Sequence, residues 1–103
     1  MAKRRVDWSR SALIDLLDII TYYNNRNKSK IYSKKLNREI RYKLKTIDFT
    51  IALPQKTLVE NLFYFTHNHI FVCFEILDND LRVQIIIDER RNPETIQQLL
   101  GSI

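Results

Sequence analysis

The sequence predicts an α+β fold, in the order β-α-α-β-β-β with a short C-terminal helix. Two stretches between residues 9 and 50 carry apolar residues at helical spacing, residues 57–89 hold three short apolar runs, and turn residues separate them. At 103 residues, with no linker, repeat or low-complexity tract, the chain 1–103 reads as a single domain with a modest core.

Arg5–Trp8 is apolar at alternate positions (Val6 and Trp8), the pattern of an opening strand. Ser9 follows as a helix N-cap. Leu13, Leu16, Leu17, Ile20 and Tyr23 then recur at helical spacing, so a first helix runs to about Asn24, with Asp15 and Asp18 on its outer face. Asn24-Asn25-Arg26-Asn27 supplies turn residues. A second helix starts near Asn27 or Ser29. Its apolar line is Tyr32, Leu36, Ile40, Leu44 and Ile47, and Lys34, Arg38, Arg41 and Lys45 repeat along another face, widened by Lys30, Lys35 and Lys43. A short link between two amphipathic helices predicts an antiparallel hairpin.

Pro54 closes the helical region. Thr57–Thr66 reads as a strand, His67-Asn68-His69 as a turn, and Ile70–Leu77 as a second strand with Ile70, Val72, Phe74 and Ile76 on one face. After Asp78-Asn79-Asp80, Leu81–Asp88 alternates again: Leu81, Val83, Ile85 and Ile87 inward, Arg82, Gln84, Ile86 and Asp88 outward. Strands so close in sequence predict an antiparallel meander. Asn92-Pro93-Glu94 has the chemistry of a helix start, giving a helix over about 93–100. The hairpin should cover one sheet face, leaving Glu75, Arg82, Gln84 and the Arg90/Arg91 corner near solvent.

Charge is distributed unevenly. Residues 1–50 hold 13 Lys/Arg against 5 Asp/Glu, a net +8, whereas residues 51–103 hold 4 against 7, a net −3. The helices therefore present a basic face, which suits a polyanion, an acidic partner or simple solubility. Cys73 is the single cysteine, so no internal disulfide forms, in keeping with a reducing cytoplasm. Met1-Ala2-Lys3-Arg4-Arg5 leads into no apolar segment of a signal peptide, and no stretch is apolar enough for a membrane span.

Few residues suggest catalysis. His67 and His69 titrate near neutrality and suit acid–base work, though His-Asn-His is also an ordinary polar turn. Tyr64 beside them is either a proton donor or strand packing. Arg90 and Arg91 can clamp a phosphate or carboxylate, or bond to Asp88, Glu89 or the last helix. No phosphate loop, Ser-His-Asp set, Cys-His pair or metal-ligand spacing is present in the sequence, so no metal or cofactor is called for.

The ordered set of elements resembles the RelE/ParE superfamily of bacterial toxins from type II toxin–antitoxin pairs. Val6-Asp7-Trp8-Ser9, followed by Ala12 and Asp15-Leu16, is similar to the family's first strand and helix opening. Tyr32-Ser33-Lys34-Lys35-Leu36-Asn37-Arg38-Glu39-Ile40 is similar to its second helix. Phe74-Glu75-Ile76 stands where the family's third strand has a tyrosine and its neighbours. Ile85-Ile86-Ile87-Asp88-Glu89-Arg90-Arg91-Asn92-Pro93 is similar to its last strand and arginine-rich corner. The length and long hairpin resemble the ParE-like side more than the shorter RelE-like side.

The resemblance implies a growth-arresting toxin held inactive, in a hetero-oligomer, by a cognate antitoxin. ParE-like members poison DNA gyrase; RelE-like members cleave messenger RNA on the ribosome. RelE-like nucleases use two lysines, two arginines and a tyrosine. Here Arg90 matches one arginine, while the lysine positions fall near Asn61 and Phe63, the other arginine near Ile70 and the tyrosine near Ile96. The leading expectation is a ParE-like toxin that acts by binding, with Lys34, Arg38, Arg41, Lys45, Arg82, Arg90 and Arg91 as contact residues. The alternative is a ribosome-dependent mRNA interferase with a site rearranged around Arg90, Arg91 and His67 or His69. A third reading is a non-toxic basic nucleic-acid-binding module. None of these requires a small-molecule substrate or a membrane, and all belong in the cytoplasm.

Overall fold

In the computed structural model, which describes residues 4–51 and 53–101, the chain runs through eight elements. They are β1 (Val6–Trp8), α1 (Arg10–Asn27), α2 (Ile31–Thr46), β2 (Gln55–Lys56), β3 (Phe63–His67), β4 (Ile70–Leu77), β5 (Asp80–Asp88) and α3 (Pro93–Leu100). The sheet order is β1-β5-β4-β3-β2; β1 lies parallel to β5 and the other neighbours are antiparallel. The expected α+β arrangement is therefore present, with a two-residue edge strand added.

Ser9 starts α1 as expected. Its Oγ accepts from the Ala12 N–H and donates to the Gln84 carbonyl, so one hydroxyl caps the helix and ties it to β5. The helix runs a turn beyond Asn24. Lys28 takes the left-handed conformation (φ 51°) and its N–H closes on the Asn24 carbonyl. Asn24 accepts from the Ser33 hydroxyl across the hairpin instead of making the turn. The buried line of α1 is Ala12, Leu16, Ile19 and Tyr23; Leu13 and Leu17 are 46% and 64% exposed, contrary to their expected inward placement. Both lines fit a helical period, and the sheet selects the one beginning with the small Ala12, which lets the helix approach closely.

In α2, Leu36, Ile40 and Leu44 are fully buried, as the periodicity predicted, and Ser33 joins them. Arg4 closes the end of this helix. Its guanidinium donates to the Leu44 and Ile47 carbonyls at 2.9 and 2.7 Å while lying over the Phe49 ring.

Thr57–Thr66 is not one strand. Residues 57–62 form a turn instead: the Thr57 N–H and hydroxyl both donate to the Leu62 carbonyl, the Val59 N–H donates back to the Thr57 hydroxyl, and Asn61 adopts φ 64°. The strand proper is Phe63–His67. It joins β4 through Asn68 and His69, both at positive φ (47° and 70°), the backbone of a two-residue hairpin turn.

The largest departure from expectation lies in β5. Pairing with β4 passes from Cys73↔Ile85 directly to Phe74↔Val83, leaving Gln84 as an extra residue. This bulge reverses the alternation beyond it. Leu81 and Val83 face the helices as expected, but so do Ile86 and Asp88, while Ile85 and Ile87 turn to the opposite face. Asp88, expected outward, is 1% exposed. The Ile86 N–H is met by the Asp15 carboxylate at 3.1 Å.

The main core thus lies between the hairpin and one sheet face, around Phe74, Leu36, Ile40, Leu81 and Val83. A smaller cluster (Phe71, Ile87 and Ile96) lies where α3 covers part of the other face, which the sequence had assigned to solvent. Arg82 does remain exposed there, and Glu75 accepts from Gln84 beside it.

Candidate functional site

Two cationic regions follow from this fold. The first is the corner between β5 and α3, which the buried Asp88 organises. Its Oδ2 accepts from the Tyr23 hydroxyl at 2.7 Å and its Oδ1 from the Arg90 N–H at 3.0 Å. Its carbonyl accepts from the N–H groups of Arg91 and Asn92 at 3.1 and 2.9 Å. Burial, reinforced by the bond to Asp88, pushes the Tyr23 phenol up to about 12, so it stays a neutral donor.

That scaffold sends the two arginines different ways. Arg91 is half-buried: its guanidinium pairs with Asp18 at 3.1 Å and lies 4.2 Å from the Tyr22 ring centroid. Arg90 is exposed, and among the described residues its guanidinium has no hydrogen bond or ion pair. Of the expected clamp, Arg90 is thus available to another molecule, and Arg91 is already held.

The histidines separate too. His67 turns toward α2, its Nε2 lying 2.9 Å from Glu39 Oε1, and this bond holds the Glu39 carboxyl below its usual range. His69 stays at the corner with Nδ1 3.3 Å from Glu89 Oε2, and its carbonyl accepts from the Glu89 N–H. Tyr64 stacks on Phe71 in the α3 cluster, which is packing. Cys73 is buried and its thiol is pushed up to about 12, which removes it as a nucleophile.

The second region is the outer face of α2. Lys34, Arg38 and Lys45 are exposed with no side-chain bond or ion pair among the described residues. Arg41 is exposed but partly engaged, donating to Asn37 at 2.9 Å and lying 4.7 Å from the Trp8 ring centroid. Beside this stripe, Arg38, Glu39, Tyr42, Lys43, Thr46 and His67 line a groove of about 520 Å³. Arg82 belongs to neither region, since it projects from the opposite sheet face.

Sequence reasoning missed Asp88, Tyr23 and Asp18 as the corner's framework and Glu39 as the partner of His67. An acid closing an isoleucine-rich strand was the available signal for Asp88, and a lone acid within a basic helix was the signal for Glu39. Among the described residues, no group of three His, Cys, Asp or Glu side chains could hold a metal ion, and no helix is long and apolar enough to cross a membrane.

No family model matches the chain, and no curated protein matches it. Solved structures do. A chain from the chromosomal ParDE TA system of P. aeruginosa superposes with a TM-score of 0.63 at 16% identity, covering 82% of this chain and 95% of that one. The fold is therefore the RelE/ParE-like one that the order of elements suggested.

Proposed function

We propose that this chain is the toxin component of a type II toxin–antitoxin pair. In this reading it is ParE-like, arrests growth by binding a macromolecular target such as DNA gyrase, and is neutralised in the cytoplasm by a cognate antitoxin. The observation that carries the reading is the superposition on a ParDE-system chain over most of both molecules. Action by binding is supported by what fills the positions corresponding to a RelE-like nuclease site. Phe63 packs against Phe74 in the main core, Ile70 is fully buried, and Ile96 packs with Phe71 and Ile87. None of these side chains can transfer a proton or neutralise a phosphate. Arg90 is left as an exposed cation, presented by a rigid corner, suited to a carboxylate or phosphate on the target.

The test is induction of the chain in bacterial cells while DNA, RNA and protein synthesis are followed separately. Growth arrest with DNA damage and filamentation is expected, relieved by co-expressing the product of an adjoining small acidic open reading frame. An immediate halt of translation with cut messages would instead establish the interferase alternative, for which His69 and Glu89 beside Arg90 are the available acid–base groups. Unimpaired growth would leave the non-toxic nucleic-acid-binding module.

A further inference from the structure

The groove between α2 and the end of β3 adds an exposed aromatic ring to the basic face of α2. Its six lining residues combine an exposed aromatic ring, two cations and a largely carbon-lined surface. Tyr42 is 69% exposed, although a tyrosine on a helix ordinarily buries part of its ring. The Tyr42 carbonyl accepts from the Thr46 hydroxyl one turn on. Lys43 lies with its ammonium 4.8 Å from the Phe65 ring centroid, so its charge is already engaged by that ring. Arg38 stands one turn before Tyr42, unpaired among the described residues, and Lys45 stands almost one turn after it. The one acid of the groove, Glu39, is engaged by His67. Across Ile31–Thr46 there are six Lys or Arg (34, 35, 38, 41, 43 and 45) against that single acid.

We infer that this groove binds single-stranded nucleic acid, seating one unstacked base against Tyr42 while Arg38 and Lys45 hold the flanking phosphates. An aromatic face interleaved with cations at helical spacing is what a base and its two phosphodiesters require, because every base offers a π-face and every linkage a charge. A duplex keeps its bases stacked and could engage only the cations. An acidic peptide would meet the same cations but has no general use for the exposed ring. The inference is independent of the toxin reading and holds for a non-toxic chain as well.

The test is fluorescence anisotropy on the full chain, with a labelled oligouridylate of about 12 nucleotides titrated at several salt concentrations. Tyr42→Ala should weaken binding about tenfold and Tyr42→Phe should leave it nearly unchanged, since stacking needs the ring and not the hydroxyl. Arg38→Gln should weaken binding and flatten the salt slope by roughly 0.7, the loss of one phosphate contact. Circular dichroism of each variant confirms that these exposed substitutions leave the fold intact. Three results would each overturn the inference. In the first, no binding is seen at low salt. In the second, Tyr42→Ala binds like the parent, or a duplex of the same length binds equally well, reducing the face to unspecific charge. In the third, an acidic peptide displaces the oligonucleotide and its own binding depends on Tyr42, which would assign the groove to a protein partner.

Discussion

At the corner after β5, Arg91 lies against Asp18 and Tyr22 on a backbone fastened by Asp88, whereas Arg38 on α2 reaches solvent with no partner among the described residues. The corner is made of long-range contacts: Tyr23 and Asp18 come from α1, Asp88 and the arginines from the other end of the chain. The stripe on α2 is made by local periodicity alone. The first kind of surface fastens the backbone of one cation, Arg90, in place; the second presents many cations along one helix face. A fastened backbone suits a directional contact with one partner, and a row of charge suits a polymer that can slide.

The sharpest way to break this contrast is to remove the carboxylate at the corner. Asp88→Ala strands the buried Tyr23 hydroxyl and removes the acceptor of the part-buried Arg90 N–H, and should cost about 3 kcal/mol. A shift of the urea midpoint checks it, and a loss below about 1 kcal/mol would mean that the corner does not depend on Asp88. Tyr23→Phe removes one of those bonds and should cost about 2 kcal/mol. It also has a pH signature. The Tyr23 phenol is raised from 10.0 to about 12 in the folded chain, so its contribution is complete below pH 10 and is lost as pH rises through about 12. The parent should therefore lose stability in that window more steeply than the Phe variant, and parallel curves would refute the assignment. Ser9→Ala comes next. It removes the cap of α1 together with the tie to Gln84, for about 1 kcal/mol by the same measurement.

The same contrast explains what could be read in the sequence. The α2 stripe and its buried line were legible because both follow from one period: Leu36, Ile40 and Leu44 could only be a core face, which left Arg38 and Lys45 outside. The hairpin turn at Asn68 and His69 and the start of α3 at Pro93 were legible from residue chemistry. Asp88 was not, because its direction depends on Gln84 bulging out upstream, and alternation carried past a bulge gives every later side chain the wrong face. Leu13 and Leu17 were misplaced for a related reason. Two apolar lines on α1 fit the same period, and the choice between them is made by the sheet beneath, where Ala12 allows close approach. The split between Arg90 and Arg91 was equally hidden, since it requires knowing that Asp18 of α1 lies beside the corner.

On the α2 side, substitutions should leave stability almost unmoved. Lys34→Gln, Arg38→Gln and Lys45→Gln should each stay within about 0.5 kcal/mol of the parent, because exposed cations without partners contribute little to folding. A larger loss in any of them would show that the stripe is structural. Glu39→Gln is the most delicate case, because this acid faces both ways: it interrupts the positive stripe and bonds to His67 across the groove. The bond holds its carboxyl below the usual value of 4.5, so its contribution is present above that pH and is lost as pH falls through the lower folded value. Acid unfolding of the Gln variant should therefore be slightly less pH-dependent than that of the parent, with the two curves converging once the parent carboxyl is protonated. At neutral pH the same substitution removes the groove's one negative charge and should strengthen oligonucleotide binding while lowering stability slightly. Stability and binding that both fell would mean that the Glu39–His67 bridge shapes the groove, with its charge secondary to its geometry.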